Sequence, residues 1–236
     1  MRAALKHCWR AVRPYLNRLG IDVVPHGQYP FTAHLRRLGI TLILDVGANV
    51  GQFGEGVRRG GFTGRIVSFE PVKQAFDELS QRATTDDRWL VVHSALGAES
   101  GKASINVSNH TTMSSFRTIK SHFVTSRSWA GISRHEIVPI TTLDAVFSDY
   151  VDLSDCVLLK IDVQGFEDQV LLGASQSLPH IAAVQLEAAI TPTYEDEPEL
   201  SEYVASLRHQ GFRMIDLREI DRDADLVLPV LVTATK

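Results

Sequence analysis

The segment Thr41-Leu-Ile-Leu-Asp-Val-Gly-Ala-Asn-Val-Gly51 decides the reading of this chain. An apolar run from Leu42 to Leu44 meets Asp45, and the turn-prone residues Gly47, Asn49 and Gly51 follow. The pattern is a buried strand that enters a tight turn and then a helix. Gly47 and Gly51 carry no Cβ, so backbone amides there can approach a ligand closely. A second strand-like run, Arg65-Ile-Val-Ser-Phe69, leads to Glu70 and Pro71. An acid about 20 residues after a glycine turn is placed to accept hydrogen bonds from ribose hydroxyls.

Two ligands fit this pair. A dinucleotide site calls for Gly-x-Gly-x-x-Gly, and Gly47 to Gly51 has a different spacing. The form Asp-x-Gly-x-x-x-Gly is instead similar to motif I of S-adenosylmethionine (SAM)-dependent methyltransferases. With little diphosphate to cradle, fewer glycines suffice.

The chain has 236 residues, 44 % of them hydrophobic and 8 % aromatic, a composition ordinary for a globular protein. A chain of this length buries about 70 % of its unfolded surface. The net charge of −4 gives no general attraction to nucleic acid, and none is expected as a partner. The two cysteines, Cys8 and Cys156, form neither a disulfide framework nor a zinc spacing, which suits a reducing, cytoplasmic setting. Cys156 reads as a buried small hydrophobe. No apolar run approaches the roughly 20 residues of a membrane span.

Residues 1–30 read as a basic helical appendage to a domain spanning 31–236. Arg2, Lys6, Arg10, Arg13 and Arg18 precede the first acid, Asp22, and Leu5, Trp9, Val12 and Leu16 recur beside them at helical spacing. Two readings stand: a helix packed on the domain, or peripheral contact of residues 1–20 with the anionic inner face of a membrane.

Along the domain, short apolar runs alternate with helical segments, the rhythm of a parallel sheet in an α/β fold. Strands are expected at 65–70, 89–93, 157–162 and 181–187. Helices are expected at 31–39, 52–59, 73–82, 142–147, 166–172 and 200–209. In the helix at 73–82, Ala75, Phe76 and Leu79 face inward. The rhythm breaks at 101–139, an insertion that reads as too polar for the core. Strands are expected within it at 103–107 and 135–140. Glu195-Asp-Glu-Pro-Glu199 reads as a solvated approach to a helix.

The matching segments in order are Leu44-Asp-Val-Gly-Ala-Asn-Val-Gly-Gln52, Gly64-Arg-Ile-Val-Ser-Phe-Glu-Pro71, Ala95-Leu-Gly97, Thr141-Thr-Leu-Asp144 and Leu159-Lys-Ile-Asp-Val-Gln-Gly-Phe-Glu167. On these the chain resembles the FkbM-type methyltransferases over residues 30–217. The resemblance implies a class I, Rossmann-like methyltransferase fold: a mostly parallel seven-stranded sheet flanked by helices, with the inserted segment and an N-terminal helix. It also implies SAM as methyl donor and an oxygen acceptor on a sugar, glycolipid or polyketide-type product. Two positions depart from the family pattern. Gln164 stands where the family more often has an acid. Pro229 falls in the run expected to form the last strand, which would then start after it, bend or be altered.

Ligands of open α/β sheets sit at the carboxyl ends of the strands. The resemblance puts Asp45, Gly47, Asn49 and Gly51 near the methionyl part of SAM, Glu70 and Pro71 at the ribose, and Ser94 and Ala95 beside the adenine; alternatively, Asp45 only caps the turn or the following helix. A hydroxyl is a poor nucleophile, so a base or a metal must assist. Asp162 and Glu187 end strands that are neighbours in this fold, about 4.8 Å apart. They could share a divalent cation such as magnesium, or one could be a base with a raised pKa. Alternatively, Asp162 caps the following helix and Glu187 pairs with an arginine. His110 and His122 in the insertion are further base candidates, and Ser114-Ser115-Phe116 reads as acceptor lining. Lys160, inside an apolar strand, calls for an ion-pair partner. Besides methyl transfer, a nucleotide-binding oxidoreductase and a catalytically silent SAM-binding protein remain open.

Overall fold

The computed structural model describes residues 30–108, 113–121, 131–189, 192–219 and 229–236. The basic N-terminal segment, His110 and His122 lie outside the described residues. The strands in chain order are β1 (Leu42–Val46), β2 (Arg65–Phe69), β3 (Trp89–Val92), β4 (Ala95–Leu96), β5 (Gly101–Ser108), β6 (Ile132–Thr141), β7 (Val157–Ile161), β8 (Ala183–Ala189), β9 (Arg213–Glu219) and β10 (Pro229–Thr235). Seven of them form one sheet in the order β3-β2-β1-β7-β8-β10-β9. β1, β2, β3, β7 and β8 run parallel, and β10 runs antiparallel to both neighbours.

Every residue of β1 and β7 is buried, as expected of central strands covered on both faces. On one face Ile43, Ile66 and Leu158 pack against Phe31 and Leu35 of α1 (Pro30–Arg37), Val57 of α2 (Gln52–Arg59) and Leu79 of α3 (Lys73–Ala83). On the other face Leu44, Val67, Leu159 and Val184 pack against Leu143 of α4 (Leu143–Tyr150), Val170 of α5 (Glu167–Leu172), and Tyr203 and Leu207 of α6 (Leu200–His209). Along each strand the side chains alternate between these two apolar layers.

Several boundaries differ from the sequence reading. β1 continues one residue past Asp45, and β8 two residues past Glu187, so neither acid ends its strand. Pro229 is the first residue of β10, paired with Ala189 of β8, while pairing with β9 begins at Val230. At that position the missing N–H removes no bond from the interior of the ladder. The insertion is not purely polar. β5 and β6 pair antiparallel beside β4. Ile105, Val107 and Val138 form a small core with Val72 and Ala75 at the start of α3. Alternation along β5 and β6 buries one face and solvates the other, so the average composition of the stretch concealed its apolar side. Phe76 is only partly buried and stacks on His93, with ring centroids 4.6 Å apart. Cys156 is half-buried, and its thiol reaches the Leu38 carbonyl at 3.4 Å. Glu199 and Glu202 form a reciprocal capping box at the start of α6. Glu197 accepts from the amides of Thr193 and Tyr194.

Candidate active site at the ends of β1, β7 and β8

The chain steps outward from β1 to β2 and β3, then returns to the far side of β1 with β7. The strand order therefore reverses between β1 and β7, and open α/β sheets bind their ligands in the crevice at such a reversal, beyond the carboxyl ends of the strands. Polar side chains cross the sheet at this level. Trp89 Nε1 donates to Ser68 Oγ at 3.0 Å, and Ser68 Oγ donates to Asp45 Oδ2 at 3.1 Å. Lys160 Nζ lies 3.0 Å from Asp45 Oδ1 and 3.5 Å from Asp162 Oδ2, and donates to the Gly47 carbonyl at 3.2 Å. It also sits 5.3 Å from the Phe53 ring centroid. Two carboxylates hold the buried ammonium well above the usual lysine range, against the opposing effect of burial. The ion-pair partner that the sequence required for Lys160 is thus Asp45, with Asp162 beside it.

This geometry corrects the reading of the glycine turn. Asp45 is fully buried under the Lys160 ammonium and does not face the crevice. Gly47, at φ 73°, and Ala48 both donate their amides to the Phe69 carbonyl. Asn49 donates its amide to Glu70 Oε2 at 2.8 Å, and Gly51 donates to the Ala48 carbonyl. The amides of Gly47, Ala48, Asn49, Val50 and Gly51 thus all bind acceptors within the protein. Glu70 is buried at the end of β2, accepting from Asn49 on one oxygen and from Val72 on the other, each at 2.8 Å. Burial pushes its carboxyl up to about 7 in spite of those amides. Pro71 offers its carbonyl to His93 Nε2 at 3.0 Å. Ser94 is buried, and its hydroxyl donates to the carbonyls of Ala95 and Pro139, so it ties β4 to β6.

The register that pairs Ile161 with Leu186 sets Asp162 level with Glu187. The Asp162 side chain is 35 % exposed, whereas Lys160 beside it is 8 % exposed, so the aspartate is the member of this pair open to the crevice. Burial and the adjacent Asp162 carboxylate push Glu187 well above the ordinary glutamate range. Among the described residues neither alternative for these acids is seen. α5 begins after Phe166 with no side-chain cap, and the charged neighbours of Glu187 are Asp162, Glu167 and Lys160. A shared divalent cation does not fit either. Lys160 already places a positive charge beside Asp162, and among the described residues no group of three or more His, Cys, Asp or Glu could hold a metal ion.

Above Asp162, the segment 113–121 crosses the turn between β7 and α5. Ser115 Oγ donates to the Gln164 carbonyl at 2.7 Å, and Arg117 binds the Gly165 carbonyl at 2.7 Å and Asp168 at 2.8 Å. Phe116 packs on Phe166 with centroids 4.9 Å apart, and the Ser114 hydroxyl accepts from the Ser108 amide. Ser115 and Phe116 therefore fasten a strap over this turn. Gln164 is gripped from both sides: Tyr194 Oη donates to its Oε1 at 3.1 Å, and its Nε2 donates to Asp162 Oδ1 at 2.9 Å.

The sequence profile of the methyltransferase FkbM domain matches residues 45–214. The chain belongs to this family. Membership in a methyltransferase family selects methyl transfer over the oxidoreductase reading. The solved structure of magnesium protoporphyrin IX methyltransferase from Synechocystis PCC 6803 with bound SAM is similar, with a TM-score of 0.50, 13 % identity and 96 % of each chain covered. An rRNA methylase from Streptococcus thermophilus gives a TM-score of 0.50 at 12 % identity, with 91 % of this chain and 99 % of that chain covered. Both likenesses are of fold, and the fold is the class I methyltransferase fold. No curated protein matches the sequence significantly.

In this FkbM-family methyltransferase the sequence reading missed three members of the site. Glu167 is buried in α5, where it accepts from the Val163 amide at 2.9 Å, and burial pushes it to about 8. Tyr194 and Arg117 come from segments without periodicity, so no pattern marked them. Glu167 did carry a signal, an acid beside the apolar run Val170-Leu-Leu172. Among the described residues, no helix is long and apolar enough to cross a membrane.

Proposed function

We propose that this methyltransferase takes SAM as donor and methylates a hydroxyl of a sugar, glycolipid or related natural product, with Asp162 as the base that receives the hydroxyl proton. The observation that carries this reading is Asp162 itself. It is the crevice-facing carboxylate at the strand-order reversal, with Lys160 on one oxygen and Gln164 on the other. The residues fit SAM. An ionised carboxylate has about four acceptor positions. Glu70 uses two of them on backbone amides, which leaves room for ribose hydroxyls. When bound, SAM supplies an electrophilic methyl group on a sulfonium.

The residues of this chain then do the rest. Asp162 accepts the proton of the acceptor hydroxyl as the oxygen gains nucleophilicity. Lys160 fixes one edge of that carboxylate and links it to Asp45, so the base does not swing. Glu187, whose neutral form is favoured, lies beside Asp162 without adding a full second negative charge. Holding the hydroxyl in line with the methyl group supplies much of the rate. Contact of the basic N-terminal segment with a membrane would suit a lipid-linked acceptor.

The test is methyl transfer from radiolabelled SAM to fractionated oligosaccharides and glycolipids by wild type and Asp162→Asn. We expect transfer by wild type and a loss of about 10²-fold or more in Asp162→Asn, the lower end of what a general base contributes. SAM affinity should be near normal in the variant. SAM binding without transfer to any fraction would support a silent binding protein instead. Full turnover in a folded Asp162→Asn protein would remove Asp162 from the chemistry.

A further inference from the structure

We infer that Gln164 is a positioning residue for methyl transfer: its side-chain amide, oriented by Tyr194, holds the Asp162 carboxylate in the attitude that the acceptor hydroxyl meets. The inference rests on the reading of Asp162 as the base.

Gln164 has a φ of 56°, in the left-handed region that residues with a Cβ rarely adopt. Such a conformation persists where its surroundings over-determine it, and it clusters at functional sites. Three anchors do so here. The Gln164 carbonyl accepts from Ser115 Oγ at 2.7 Å, Oε1 accepts from Tyr194 Oη at 3.1 Å, and Nε2 donates to Asp162 Oδ1 at 2.9 Å. The donor set fixes the direction of the amide. A carboxylate accepts only, so the NH2 must face Asp162 and the oxygen must face the tyrosine hydroxyl. Tyr194 is itself immobile: it is buried, its backbone amide is bound to Glu197, and its ring lies so close that a Cβ on Gly165 would come 2.6 Å from Cδ2.

Asp162 is thereby held at two points, by a neutral donor on Oδ1 and by the Lys160 ammonium near Oδ2. The other charged or titratable groups around it are Glu187 on β8, Glu167 on α5 and Tyr194, with Asp45 behind Lys160. Among three acids and one cation, Gln164 sets a neutral donor, not a further acceptor, against the Asp162 carboxylate. A glutamate there would set an acceptor against an acceptor. One of the two acids would then take up a proton, or the turn would open. A methionine would keep the bulk of the side chain and remove both hydrogen bonds.

The experiment measures steady-state rates against pH, with SAM affinity by calorimetry, for wild type, Gln164→Met, Gln164→Glu, Asp162→Asn and the double variant Asp162→Asn with Gln164→Met. We expect Gln164→Met to lose about tenfold or more in kcat, with little change in SAM affinity, because a carboxylate displaced by a fraction of an ångström is a poorer base. Gln164→Glu should shift the acid limb of the rate profile to higher pH and recover activity there. The double variant should be no slower than Asp162→Asn, since a residue that acts through another adds nothing once that residue is gone. A profile and kcat at wild-type values in Gln164→Glu, with Asp162→Asn inactive, would overturn the assignment of Gln164 alone. Additive losses in the double variant would do the same. Full activity in Asp162→Asn would instead overturn the base assignment on which this inference rests. Should Gln164→Met fail to fold, Gln164→Glu carries the test, because it preserves the shape of the side chain.

Discussion

A Cβ on Gly47 would lie 1.9 Å from the backbone oxygen of Asp162. The turn after β1 thus rests directly on the backbone that carries the proposed base. A side chain at position 47 would meet protein there. Its positive φ adds a second penalty for any side chain. Gly47→Ala should destabilise the fold by about 2–4 kcal/mol, the combined scale of left-handed strain and a backbone clash. Urea unfolding measures it. A variant of unchanged midpoint would show that the turn and the end of β7 can separate freely.

With Glu70 as the proposed acceptor of ribose hydroxyls, SAM affinity should depend on pH. The Glu70 carboxyl is held at about 7 by burial, and ribose hydroxyls donate best to its ionised form. SAM affinity should therefore weaken as pH falls through about 7. Glu70→Gln should flatten this dependence, and Glu70→Ala should lose about 1–3 kcal/mol of binding at pH 8, the scale of a lost charged hydrogen bond. Calorimetry at pH 6 and pH 8 decides. Equal affinities at both pH values in wild type would separate Glu70 from the ribose.

Lys160 and Asp45 form a buried pair, so removing one partner leaves an uncompensated charge. Lys160→Met should destabilise the protein by about 3–5 kcal/mol. Adding Asp45→Asn should recover part of that loss, because the orphaned charge goes with it. Denaturant midpoints of the single and double variants test the coupling. Losses that simply add would argue against the pair.

Glu167 makes stability depend on pH. Its folded carboxyl, at about 8, is raised above the ordinary 4.5, so its contribution is most favourable below about 4.5 and is lost as pH rises through about 8. Gln at this position imitates the neutral acid and can still accept from the Val163 amide. Glu167→Gln should match wild type at pH 5 and exceed its stability at pH 9. Parallel stability curves across that range would contradict this.

Glu187→Gln should keep most activity at neutral pH, because burial and Asp162 already favour the protonated form of Glu187. The same exchange at Asp162 should not be tolerated. Paired rate profiles of the two amide variants settle which carboxylate takes the proton, and a Glu187→Gln enzyme as impaired as Asp162→Asn would reverse the assignment.

The sheet was legible because its strands are buried on both faces and read as continuous apolar runs, as in Leu42–Leu44 and Val157–Leu159. Lys160 and Asp162 also stood out, polar residues two apart at the end of such a run, hence on one face of the strand. The hydrogen-bond partners of the glycine turn were not legible. Its amides close on Phe69, Glu70 and Ala48, and which local acceptor an amide takes depends on how neighbouring strands stack. Nor could the sequence reveal that Tyr194 meets Gln164 across 30 residues, a contact made by two irregular segments. The apolar side of β5 and β6 was lost in an average over the insertion.

β10 lies between β8 and β9, yet it follows both in the chain. β8 pairs with β7 on one side, and β9 pairs with β10 alone. While the chain emerges from the ribosome, β8 is therefore a bare edge of apolar residues, and β9 has nothing to join. Both wait for residues 229–235. Until those residues arrive, the open edge of β8, most of whose side chains are buried in the finished sheet, is a template for pairing with other chains. Binding of SAM by the half of the sheet made first would not remove this exposure. Pairing of β10 with both neighbours removes the open edge of β8.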